Sequence, residues 1–145
     1  MRNVLLSLMK KLKNTTIVVD GKDYLQRGYF FGETSKTCGV YLHHFKSSDQ
    51  KKELHSHPFK YSFSFVLTGG YREERLVNGE IFSRVVKPFT FNFIKSSDFH
   101  RVDLFDEENG AFTLFFAGPR STEWGFLDRE TLEFKHYSLN PNAIP

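Results

Sequence analysis

The chain has 145 residues, enough for one domain with a substantial core and too few for two domains of ordinary size. Its net charge of +3 comes from lysines and arginines scattered among acids, which argues against a nucleic-acid surface, where positive charge is concentrated. A single cysteine, Cys38, excludes an internal disulfide framework and a cysteine-based zinc site, and no run approaches the length of a membrane span.

Val4, Leu5, Leu8, Met9 and Leu12 recur at helical spacing, with Lys10, Lys11 and Lys13 between or after them. This predicts a short amphipathic helix over 1–14 that packs on the outside of the main domain. A secretory signal would carry its charge first and a small-residue cleavage site later, so the expectation is a soluble, cytoplasmic protein without a membrane partner.

From Thr15 the texture changes to strands, and a domain over 15–139 is expected to be all-β. Aromatic residues make up 17% of the chain, mostly Phe, a composition suited to pleated strands. Thr15 to Val19 ends at the turn pair Asp20-Gly21. Tyr24 to Phe31, Cys38 to Phe45 and Leu54 to Pro58 follow, the last two separated by the polar loop Ser47-Ser48-Asp49. Tyr61 to Leu67 alternates cleanly and stops at Gly69-Gly70. Tyr71 to Val77 and Glu80 to Val86 form a hairpin about Asn78-Gly79. Phe89 to Ile94, His100 to Phe105, Ala111 to Ala117, Trp124 to Leu127 and Thr131 to Tyr137 complete a series of short strands, the pattern of a sandwich or barrel. The segment 140–145 reads as a loose tail. Cys38 reads as a small buried residue and Trp124 as a packing anchor.

Two histidines stand one residue apart in Leu54-His55-Ser56-His57-Pro58. Alternate residues of an extended chain share a face, so both imidazoles can aim at one point. His100 follows the run Phe89 to Ile94. Three imidazoles meeting inside a barrel form a set of neutral donors suited to Fe(II), Ni(II), Zn(II) or Cu(II), with open positions for water or substrate. Of the adjacent pair His43 and His44, only one can face inward.

The order of these parts resembles the cupin superfamily, whose fold is a double-stranded β-helix, a small jelly-roll barrel. His55, His57 and Gly69 match its first motif, with Ser62 at the place of the usual Glu. His100 matches the histidine of its second motif, while Lys95 and Ser97 stand for the usual Pro and Gly. The likeness runs from about Thr37 to Gly118. It implies a cupin barrel behind a short N-terminal helix, with His55, His57 and His100 as metal ligands. Cysteine dioxygenase-like cupins, which use three histidines on Fe(II), give the precedent for a site without the carboxylate. Fe(II) is therefore the favoured ion, with Zn(II) or Ni(II) as alternatives.

Three neutral ligands leave the full +2 charge on the ion, which favours a small anionic substrate. Ser62, Ser64, Arg72 and His43 are the residues expected behind the ligands or against the substrate, Arg72 because one arginine after Gly70 can hold a carboxylate or phosphate through paired hydrogen bonds. The functional expectation is a metal-dependent oxidoreductase of dioxygenase type. The alternatives are a non-catalytic cupin that binds a sugar- or nucleotide-like ligand, and a metal-free sugar epimerase with a tyrosine acid, against which the outward parity of Tyr61 argues. With Ser62 and Ser64 turned inward, Tyr61, Phe63, Phe65 and Leu67 face outward. Either the helix or a second copy in a homodimer must cover them.

Overall fold

In the computed structural model the described residues are 1–32, 38–121 and 123–139, so the tail at 140–145 lies outside them. The elements run α1 (Arg2–Lys11), β1 (Asn14–Val19), β2 (Lys22–Phe31), β3 (Gly39–Phe45), β4 (Glu53–His55), β5 (Tyr61–Thr68), β6 (Tyr71–Val77), β7 (Glu80–Val86), β8 (Phe91–Lys95), β9 (His100–Leu104), β10 (Ala111–Ala117), β11 (Gly125–Asp128) and β12 (Phe134–His136), with a 3-10 turn at Tyr137–Leu139. The strands form two antiparallel sheets, ordered β1-β2-β3-β10-β5-β8 and β12-β11-β4-β9-β6-β7. The all-β expectation holds, and two of its turns take the conformations their residues favour. Asn78 and Gly79, both left-handed at φ 51 and 81, close the β6–β7 hairpin. At Gly69 (φ 78) a Cβ would meet Gly110 O at 2.4 Å, so only glycine admits this crossing between the sheets.

Alternation sets the packing. Along β5, Ser62, Ser64 and Val66 are buried while Tyr61 is exposed. Val66, Tyr71, Val86, Val102, Leu104 and Ala111 join into one core cluster drawn from both sheets. Helix α1 lies on the outer side of the first sheet, where Leu5 and Met9 pack with Leu42 and Phe112. Gly28 makes room for it, since a Cβ there would lie 2.8 Å from Met9 Sδ. Asn14 caps its end, Nδ2 donating to Met9 O (3.1 Å) and Leu12 O (2.9 Å). Burying Leu5 and Met9 contributes on the order of 1.5–3 kcal/mol each, which fixes the helix although it is too short to stand alone.

The helix covers only part of that face. Phe89, Phe91, Phe93 and Tyr61, at and beside edge strand β8, stay 50–67% exposed. Cys38 is exposed rather than buried, because it precedes β3 instead of lying in it. Among the described residues no helix is long and apolar enough to cross a membrane.

Candidate metal centre

The two sheets enclose a cavity of about 410 Å³, walled by Arg27, His43, Thr113 and Phe115 of the first sheet and His55, Tyr71, His100 and Val102 of the second. Strand β4 ends at His55, two residues before His57, and the following Pro58 has no N–H for a ladder. The extended course nevertheless continues, because Ser56 N–H donates to Gly125 O (2.9 Å) and Gly125 N–H donates to Ser56 Oγ (3.0 Å). Both histidines therefore keep one face. His100, the first residue of β9, is the direct register partner of His55.

The three rings lie 4.7–5.1 Å apart between centroids, and one donor atom from each falls within 4.8 Å of the others. His57 Nε2 and His100 Nε2 are 2.7 Å apart.

Each end of the cluster is backed by a carboxylate. His100 Nδ1–H donates to Glu73 Oε1 (2.8 Å), leaving Nε2 directed at the other rings. His55 Nδ1 lies 3.4 Å from Asp49 Oδ2. Asp49 is itself held by the Tyr24 hydroxyl and by Val102 N–H (2.6 Å). Glu73 is fully buried and also receives Arg75 Nη2 (3.0 Å), Asn92 Nδ2 (2.9 Å) and Arg84 Nε (2.6 Å). Burial alone would raise its pKa. The His100 hydrogen bond and charge, with Asn92 and Arg75, overcome that and hold the carboxyl well below the usual range. Burial pushes His55 down to about 4, with Asp49 partly opposing it, and pushes His57 well down too, with His100 and His55 adding to the effect. His55 and His57 are thereby kept unprotonated at neutral pH, as a divalent cation requires of its imidazole ligands. Convergent donors, fixed tautomers and carboxylate support all fit such an ion.

The remaining expected residues divide. His43 is buried, faces inward and lines the cavity, while His44 turns outward and stacks on Phe112 at 4.0 Å. Ser64 lines the cavity. Ser62 is buried between Ala117 and Ile94, off the cavity wall, and among the described residues its hydroxyl has no hydrogen-bond partner. Arg72 is exposed and does not line the cavity, because β6 turns Tyr71, Glu73 and Arg75 inward instead. Trp124 is buried, stacks on Tyr137 at 4.7 Å and also lines the cavity. The sequence reading missed Glu73, Asp49 and Arg27. Strand parity after Gly70 groups Glu73 with Tyr71 and Arg75 but does not say that this set faces inward, whereas Asp49 sits in a loop with no periodic signal.

No protein-family model matches the sequence, and no curated protein matches it. Solved structures do match in shape. Fe(II)-HppE with the alternative substrate (S)-1-HPP aligns at TM-score 0.60 and 12% identity over 74% of this chain and 56% of that one. HEPD from Streptomyces albus, with 2-hydroxyethylphosphonate and Fe(II) bound, aligns at 0.60 and 9% over 78% and 25%. A mannose-6-phosphate isomerase candidate from Ralstonia eutropha aligns at 0.52 and 14% over 74% and 98%.

The chain has the cupin fold. The chain spans little more than half of the HppE chain and a quarter of the HEPD chain.

Proposed function

We propose that this cupin holds a divalent metal ion, Fe(II) first among the candidates, on His55, His57 and His100, and acts as an oxidoreductase on a small anionic substrate. The observation that carries the reading is the convergence of three imidazole donors with a carboxylate behind two of them. The Fe(II)-bound HppE and HEPD, whose substrates are small phosphonates, support the choice of ion and substrate class. A bound ion would supply Lewis acidity and one-electron redox chemistry. The chain's own residues do the rest. Glu73 and Asp49 hold the ring orientations, and Tyr71, hydrogen-bonded by Asn92 Nδ2 at 3.2 Å, places a hydroxyl in the same network.

Elemental analysis of purified wild type and His57→Ala tests the metal. Near-stoichiometric metal in the wild type, lost in a folded variant, is expected. Oxygen consumption with thiols, diketones, hydroxy acids and hydroxyphosphonates then tests turnover. A protein without metal would leave the non-catalytic reading, favoured by the fact that Asp49 and Glu73 are both engaged and neither is a free base.

The same reading includes a homodimer and a reducing, cytoplasmic setting. The exposed aromatic patch beside β8 supports the dimer. Phe89 there is held outward in the left-handed region at φ 65, a conformation that costs a bulky residue about 1–3 kcal/mol. A monomer by light scattering at micromolar concentration refutes the dimer. Free Cys38 supports the compartment.

A further inference from the structure

The inner face of the first sheet carries a row of polar residues that the metal centre does not use. Arg27, His43 and Thr113 are direct register partners on β2, β3 and β10, and all three line the cavity. Arg27 Nε donates to His43 Nε2 at 3.0 Å. That bond makes Nε2 the acceptor, so the ring proton sits on Nδ1. His43 is 4% exposed and Thr113 fully buried, yet His43 Nδ1 and Thr113 Oγ1 have no hydrogen-bond partner among the described residues.

Arg27 is also short of a counter-charge. Among the described residues it makes no ion pair with an Asp or Glu; its other contacts are the Tyr29 side chain and the face of Tyr41, 5.5 Å from the ring centroid. Arg27 is part-buried, and a charge drawn partly out of water is stabilised by an opposite charge or hydrogen-bond acceptors. The wall carries four carboxylates, Asp20, Asp49, Glu53 and Glu107, and among the described residues none pairs with Arg27: Asp49 is held by Tyr24 and Val102, Glu107 by Ser48 N–H at 3.0 Å, and Asp20 accepts from Gln50 Nε2. This end of the cavity therefore presents a guanidinium without a carboxylate partner, beside an imidazole N–H and a hydroxyl that have no acceptor among the described residues. A sugar face would need acceptors as well as donors. An oxyanion needs only donors, and the planar guanidinium fork matches it.

We infer that Arg27, His43 and Thr113 form an oxyanion subsite that takes the carboxylate or phosphonate end of a small ligand. Phe115 stacks on His43 at 4.7 Å and on His57 at 5.9 Å. One aromatic ring thus separates the subsite from the histidine cluster, and a ligand of a few bonds reaches both. The engagement of its other end rests on the metal reading above; the oxyanion subsite does not.

Isothermal titration of metal-free protein with methylphosphonate, and separately with acetate, tests the subsite. At least one probe is expected to bind the wild type, at least tenfold more weakly to Arg27→Gln, and nearly unchanged to His57→Ala. The preferred probe tells phosphonate from carboxylate. Arg27→Lys, which keeps the charge but not the fork, serves if the Gln variant fails to fold, and is expected to bind several-fold more weakly than wild type. Equal binding to wild type and the folded Arg27 variants overturns the proposal, as does no binding to the wild type. Binding lost in folded His57→Ala also overturns it, because the anion would then sit on the histidines. Metal content measured on the same samples separates the two readings: anion binding through Arg27 in a protein that takes up no metal refutes the metal centre and leaves the subsite standing.

Discussion

Glu73 is the residue whose replacement tests the site most sharply. It has no exposed surface, and its two oxygens receive His100, Arg75, Asn92 and Arg84. Glu73→Gln keeps the volume, and the amide oxygen can still accept from His100 Nδ1–H. What it loses is the negative charge, and its amide N–H₂ then faces Arg84. Arg84 is half exposed and swings into water, so the cost in stability is modest, about 1–2 kcal/mol. Carboxylates behind metal-bound histidines typically contribute 10- to 100-fold in affinity. Retention of the hydrogen bond puts Glu73→Gln at the low end, about tenfold. Glu73→Ala removes the bond as well and takes from the Arg75 guanidinium its buried carboxylate partner, leaving it the hydrogen-bond acceptors Phe93 O and Asn92 Oδ1, which predicts a loss near 100-fold and about 3–5 kcal/mol of stability. Competition titration with Zn(II) or Co(II) against a chromophoric chelator gives the affinities, and urea unfolding gives the stabilities. Wild-type affinity in a folded Glu73→Ala would refute the claim that this carboxylate supports a ligand.

Burial lowers the His55 pKa to about 4. The folded state therefore binds fewer protons than the unfolded chain between about pH 6.5 and 4, and stability falls as pH drops through that window. His55 alone contributes roughly 2–3 kcal/mol of loss, with His57 and His43 acting in the same direction; a melting temperature of the metal-free protein that is flat from pH 7 to 4.5 would contradict this. Tyr24→Phe removes the hydroxyl that donates to Asp49 behind His55; a loss of about 1 kcal/mol and a few-fold weaker metal binding are expected by the same two assays. Met9→Ala empties a fully buried position between α1 and the first sheet; urea unfolding should show about 2–4 kcal/mol of destabilisation, and none would mean that the helix is not docked.

The strands were legible because their apolar residues alternate and their turns carry Asn-Gly or paired glycines. The His55-x-His57 pair was legible for the same reason of parity, and His100 from its place after a strand. Parity also split β6 into two sets, Tyr71, Glu73 and Arg75 against Arg72 and Glu74, without saying which faced inward. Arg72 has the chemistry of an anion ligand, but the structure turns the other set inward because Tyr71 fills the core. Ser62 falls at the position of a cupin carboxylate, but the acid near the site comes from Glu73 on β6, behind a histidine. Asp49 and Arg27 gain their roles only from pairings with β9 and β3, distant in sequence. No local pattern encodes those.

Strand β4 meets β9 at one register position among the described residues, His55 against His100. Every other pairing of β4 runs to β11, which in turn carries β12. The seam that attaches this three-stranded flap to the remainder of its sheet is thus stitched through the two histidines themselves. An ion gripped by both would act as a rivet across it, and backbone amides of the flap should exchange with deuterium more slowly once the rivet is in place.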